Sequence, residues 1–414
     1  MFKRLFAVVV FLLWACLAPA QTAPALFGGI DDIVRGLSEI TGLAPLKKIE
    51  HDTMTRDRLK VFFEERIREV VKPEEIRIEE LVLKKFGFAP ADFDLKATTI
   101  ELMTEQAAAF YDFKRKKLFV LEGSGSMMQE VALIHELAHA LADQHFKLER
   151  FLKKAGENDD GALARMAVME GQATWLMAEY LARRTGGSLK DNPAMVEMMS
   201  KLAGIGAGQF TVFDKAPLYM RESLLFPYRD GMNFMHAVFM KLGTKGFSEV
   251  YQRPPAGTRD IMHPEQYFEQ EKPTDPKPPE LARPRDYRAL AEGSVGEFDF
   301  SVLLRQYAGV EAARLAPQWR GGNYRLLERK DDKQRTLLLH SSDWASAEAA
   351  AEFFRFYRQV LKGKWKQMSV TRETGLAIQG RGDDGHFELR RDGARVTAVE
   401  GMKDPSDVRR TAIN

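Results

Sequence analysis

A chain of 414 residues, 45% hydrophobic and 29% charged, is globular in composition and long enough for two domains. Its 61 lysines and arginines are matched by 59 acidic residues, which gives no reason to expect nucleic acid as a partner. The single cysteine, Cys16, lies at the extreme N-terminus, so the fold must rest on a hydrophobic core rather than on disulfides.

In chain order, Lys3 and Arg4, the apolar run from Leu5 to Leu13 and the small-residue stretch Ala18-Pro19-Ala20 form the three parts of a secretory signal over residues 1–20. The apolar run is too short for a permanent bilayer span. The predicted location is therefore exported, periplasmic or extracellular, with no stable transmembrane helix in the mature form. Leu13-Trp14-Ala15-Cys16 partly resembles a lipobox, so lipidation of Cys16 and a membrane-anchored lipoprotein is the alternative.

Residues 53–88 are charged with helical periodicity, and Pro90 with Asp92 marks a break and a new helix start leading into 102–109. Residues 110–120 read as a β-hairpin around the charged turn Lys114 to Lys117, taken as solvated. A loop at 123–126 precedes a long helix over 129–150. A second break at 156–160 then leads to a helix over 162–182, and the two long helices are expected to pack as an antiparallel pair. Further helices are predicted over 193–208 and 230–242. Five prolines between 269 and 285 mark a linker. Beyond it, strand-like runs at 324–329, 335–339, 377–379, 386–389 and 394–400 surround a helix at 347–361. The expected fold class is α+β. It divides into a mainly helical domain with a short hairpin or small sheet over 30–270, a proline-rich linker over 271–287 and a small α+β domain over 288–405.

Chemistry concentrates in His135-Glu136-Leu137-Ala138-His139, an H-E-x-x-H match. On a helix the two histidines differ by about 40° in projection, so both imidazoles can share one ion. Glu136, about 100° from His135, lies at the rim of that face, where it can reach a metal-bound water as general base. The flanking run Val131 to Ile134 and Ala140 to Ala142 is apolar, and buried histidines and glutamates need partners. A third ligand is offered by Glu170, itself inside an apolar stretch, with Gly171 beside it permitting close helix approach. The competing reading pairs Glu170 with Arg165 or turns it to water.

This arrangement resembles the gluzincin class of zinc metallopeptidases, in which an H-E-x-x-H helix is followed by a helix donating a glutamate ligand. The N-E-x-x-S-D pattern of the thermolysin branch is absent. A closer likeness is to a group of exported bacterial predicted zinc peptidases. It is carried by His135-Glu136-Leu137, His139-Ala140-Leu141, Asp143-Gln144, Phe146, Glu170-Gly171, Ala173-Thr174, Phe226-Pro227-Tyr228, Gly231, His263-Pro264 and Tyr267, over roughly residues 40–340. The resemblance implies one zinc ion on His135, His139 and Glu170, a polypeptide substrate, and an oxyanion stabiliser downstream. His263 is the favoured stabiliser, against a plain turn role before Pro264, and Tyr228 is the weaker choice, against simple packing. Asp143, one turn beyond His139, is placed either as a partner of that imidazole's second nitrogen or in local backbone bonds. The hairpin offers Leu118 to Val120 or Phe110-Tyr111 as an edge strand for extended substrate.

The expected function is zinc-dependent peptide-bond hydrolysis with Glu136 activating the metal-bound water. Its rival is a catalytically inert zincin-like scaffold acting as an envelope binding or assembly factor.

Overall fold

The fold is of the α+β class: a mainly helical N-terminal and central region is followed by a C-terminal region rich in antiparallel strands. The structure is a computed structural model and describes residues 27–122, 126–156, 158–202 and 210–407. The expected secretory signal, Cys16, the glycines at 123 and 125, and the second half of the helix expected at 193–208 lie outside the described residues. Among the described residues no helix is long and apolar enough to cross a membrane.

After α1 (Ile30–Thr41) comes β1 (Glu50–Met54), a strand the sequence does not announce, since four of its five residues are polar or charged. The charged stretch that follows is two helices, α2 (Arg56–Val70) and α3 (Pro73–Phe86). Pro73 divides them, because it forces Lys72 into an extended conformation and is itself suited to a first helical turn. Helix α4 (Leu95–Gln106) is capped by Asp94, whose side chain accepts from Ala97 N at 2.8 Å, rather than by Asp92.

The hairpin forms as β2 (Ala109–Asp112) and β3 (Lys117–Leu121), and β1 adds to it in parallel, giving the order β1-β3-β2. Since β3 is central, both its edges are occupied, and Leu118 to Val120 cannot serve as a docking edge. The motif helix α5 (Ser126–Phe146) ends where Lys147 turns left-handed, with φ 55°, and α6 (Leu148–Lys153) follows.

Helix α7 (Asp159–Arg184) carries Glu170 and is capped by Asn158. After α8 (Pro193–Leu202) and α9 (Thr211–Lys215), α10 runs unbroken over Leu218–Leu242 with Pro227 inside it, so Tyr228 is mid-helix and does not precede a helix start. Short helices α11 (Gly246–Gln252), α12 (Thr258–Met262) and α13 (Pro264–Glu269) complete this region.

The proline-rich segment lies along the following sheet: Thr274 N donates to Arg320 O at 2.8 Å and Ala282 N to Asp407 O at 2.8 Å. Strand β4 (Tyr287–Ser294) and helices α14 (Glu297–Ala308) and α15 (Val310–Ala313) lead to β5 (Trp319–Arg329) and β6 (Thr336–Trp344). Helix α16 (Ala347–Lys364) then precedes β7 (Ser369–Glu373), β8 (Ala377–Gly382), β9 (Gly385–Asp392) and β10 (Arg395–Met402). The sheet is antiparallel throughout, ordered β4-β5-β6-β10-β9-β8-β7.

One hydrophobic core runs from α1 through the motif helix to the strands of the large sheet. The end of α3 joins the two regions. Gly87, at φ 85°, turns the chain there as only glycine does without strain, and its carbonyl accepts from Gln306 Nε2 at 3.0 Å and Tyr307 Oη at 2.6 Å. On either side of it, Phe86 meets Tyr324 edge-on at 5.5 Å and Phe88 packs on Tyr219 at 4.0 Å.

Candidate metal centre

Helices α5 and α7 pack side by side and turn four polar residues toward one point within the apolar core. His135, Glu136 and His139 offer ligand atoms within 4.8 Å of one another. Glu170 completes the cluster from α7. Relative exposure is 0% for His135 and Glu136, 1% for His139 and 2% for Glu170, so the group is shut off from bulk water.

The Nε2 atoms of His135 and His139 stand 2.9 Å apart, and Glu170 Oε2 lies 3.2 Å from the first and 3.3 Å from the second. An ion with tetrahedral bonds of about 2.0 to 2.1 Å holds its ligands about 3.3 Å apart, close to these edges. His135 Nδ1 and Glu136 Oε1 are buried without a hydrogen-bond partner among the described residues. The donor set, two imidazoles and a carboxylate, suits zinc.

The electrostatics follow from burial. Desolvation brings His135 down to about 4, against a smaller opposing pull from Glu170, so it is neutral at pH 7 as a metal ligand must be. Burial pushes the Glu170 carboxyl up, but the charge of His139 and the hydrogen bonds of both imidazoles outweigh it and leave the group below the usual range. Glu136 goes the other way: burial first, then the charge of Glu170, raise it well above the ordinary carboxylate value. A dication held by the three ligand atoms would act in the opposite sense and favour its ionised form.

Gly171 permits close helix approach, as expected. A Cβ on Gly171 would stand 2.1 Å from the carbonyl carbon of Gly231, so this glycine admits α10, not the motif helix. The crossing sets Tyr228 near the cluster, its ring 5.9 Å from that of His135 and tilted 29°. Phe113 closes another side, edge-on to His139 at 6.2 Å.

Two expected participants are held elsewhere. His263 Nε2 is 2.7 Å from Glu297 Oε1, at the corner where α12, α13 and α14 meet, and no described contact joins it to the cluster. That bond, opposed by partial burial, raises the imidazole above its usual value. Asp143 is not paired with His139 in any described hydrogen bond. Its Oδ1 accepts from Leu148 N at 2.9 Å, and its Oδ2 from Lys116 Nζ at 2.6 Å and Tyr111 Oη at 3.3 Å.

Tyr111, expected only as part of an edge strand for substrate, donates its backbone N–H to Glu136 Oε2 at 2.8 Å. This bond uses the outward N–H of β2, so Phe110-Tyr111 does not offer that donor to an incoming strand. Tyr251, whose phenol is kept protonated by burial and then by the charges of Glu170 and Asp143, was unmarked in the sequence.

The buried His-Glu-x-x-His group is consistent with a zincin-type metal site. Residues 285–412 match a family described as a domain of unknown function, DUF8575. No curated protein and no solved structure matches the chain.

Proposed function

We propose that the protein is an exported zinc-dependent peptidase in which His135, His139 and Glu170 hold one zinc ion. The observation that carries this reading is the buried Nε2, Nε2, Oε2 triangle with edges of 2.9, 3.2 and 3.3 Å. A zinc ion in that place supplies a Lewis acid for a scissile carbonyl and a lowered pKa for the attacking water. Glu136 is the general base: its Oε1, free of protein partners, takes the proton from the water and passes it to the leaving amine. Tyr228, whose ring lies 5.9 Å from that of His135, is the proposed oxyanion donor; no described contact brings His263 to the cluster. Polypeptides are the proposed substrates.

The test is hydrolysis of unfolded casein by the mature protein, with and without chelator, and by Glu136→Gln. Loss of activity in the second and third samples supports the reading, and equal activity in all three sinks it. The near-complete burial of the four residues favours one rival, a structural zinc site in an inert scaffold. Such a site closes its fourth position with another protein ligand, and a Glu136→Gln protein that holds zinc while wild type shows no activity would favour it.

A further inference from the structure

The hairpin tip from Lys114 to Lys117 is a largely exposed turn, as expected, but its charges are paired. Each of its residues meets a carboxylate: Lys114 with Glu69 at 2.8 Å, Arg115 with Asp112 at 3.6 Å, Lys116 with Asp143 at 2.6 Å and Lys117 with Asp52 at 2.9 Å. Of these four partners only Asp143 belongs to the motif helix, and it is 1% exposed. Lys116 reaches it from a left-handed backbone, φ 57°, a conformation that favours glycine.

Asp143 in turn fixes Tyr111. Glu136 and Asp143 lie seven residues apart, two turns or about 10 Å along one helix face. Tyr111 spans them, its backbone N–H on Glu136 Oε2 at 2.8 Å and its phenol on Asp143 Oδ2 at 3.3 Å. Leu148 N holds the other oxygen of Asp143, and β3 holds the opposite edge of the strand, pairing Leu118 with Tyr111. The terminal torsion of a glutamate is broad and two-fold, so an unheld carboxylate presents either oxygen. Here one oxygen is taken and the other, Oε1, is buried with no partner among the described residues.

We propose that Tyr111, fixed by Asp143 and Lys116, is a positioning residue that holds one oxygen of Glu136 and leaves the other to face the reacting water. This rests on the reading of Glu136 as general base. Small misplacements of a catalytic group are costly in rate, so the clamp acts on turnover and not on metal retention.

Lys116→Gly separates this role from that of a turn residue. Glycine relaxes the left-handed backbone, so a turn-only role predicts unchanged turnover and equal or higher thermal stability. The clamp predicts a fall in kcat of at least fivefold on a casein-derived peptide, with KM within twofold and zinc content unchanged. It also predicts at least tenfold faster hydrogen exchange at the Tyr111 amide. Lys116→Arg restores both, and Asp143→Asn reproduces the loss. If either kcat or Tyr111 exchange is unchanged in Lys116→Gly, the proposal is overturned. A wild-type protein without zinc-dependent hydrolysis overturns the proposed function instead, and Tyr111 exchange then decides the clamp alone.

Discussion

Replacing Glu170 by glutamine tests the triangle at its least conventional corner. The amide keeps the shape of a side chain that is 2% exposed, but removes the charge that lies 3.2 and 3.3 Å from the two imidazole nitrogens. Groups that merely orient a ligand are worth about 10- to 100-fold in metal affinity, and a ligand is worth more, so a loss of about 1000-fold, roughly 4 kcal/mol, is expected. The assay is urea unfolding with and without zinc at 100 times the wild-type Kd. Linkage then stabilises wild type by about 2.7 kcal/mol, and the variant by less than about 0.1 kcal/mol if its affinity is 1000-fold weaker. Stabilisation of the variant within a few tenths of the wild-type value would refute Glu170 as a ligand.

Other expectations concern the rest of the molecule. His340 is wholly buried among Phe86, Phe300 and Tyr357 with neither ring nitrogen partnered among the described residues, and burial, aided by the Lys364 charge, brings it to about 3. Its folded value lies below the unfolded one, so the stability it confers is complete above about pH 6.5 and is lost as pH falls toward 3. His340→Phe is expected to remove about 2 to 3 kcal/mol of the stability difference between pH 7 and pH 4.5, read from urea midpoints. Asp160 is raised to about 7 by burial and then by the charge of Asp299, so its contribution is present below about pH 3.8 and is lost as pH rises through 7. Asp160→Asn, which keeps an acceptor for Thr258, is expected to melt higher than wild type at pH 8 but not at pH 4. Gly231→Ala drives a methyl to 2.2 Å from the Ala167 carbonyl oxygen, backbone that cannot rotate away. Overpacking of this kind costs about 1 to 3 kcal/mol, whereas Gly375→Ala, with nothing within 4 Å, is expected to melt like wild type.

What the sequence made legible is what local pattern encodes. Histidines four apart in an apolar run place two imidazoles on one buried face, and a lone carboxylate between Ala167 and Trp175 marks a polar group that burial would strand. Alternation around 324–339 and 386–400 likewise announces strands of the C-terminal sheet. Features that depend on distant partners were not legible. Strand β1, Glu50-His51-Asp52-Thr53-Met54, has no apolar alternation and exists because β3 pairs with it 67 residues on. Asp143 follows the face of His139 by periodicity, yet Lys116 and Tyr111 claim it from the hairpin, and His263 is claimed by Glu297. Pro227 reads locally as a break, but burial of Phe226, Tyr228 and Met232 on one helix outweighs its missing hydrogen bond.

The central claim is that two imidazoles and one glutamate hold zinc. X-ray absorption at the zinc edge, on mature protein purified in zinc-replete buffer, tests it most directly. One zinc per chain is predicted, with two imidazole ligands and the remaining ligands oxygen. A chain that holds no zinc, or a zinc carrying a third imidazole such as that of His263, would contradict it.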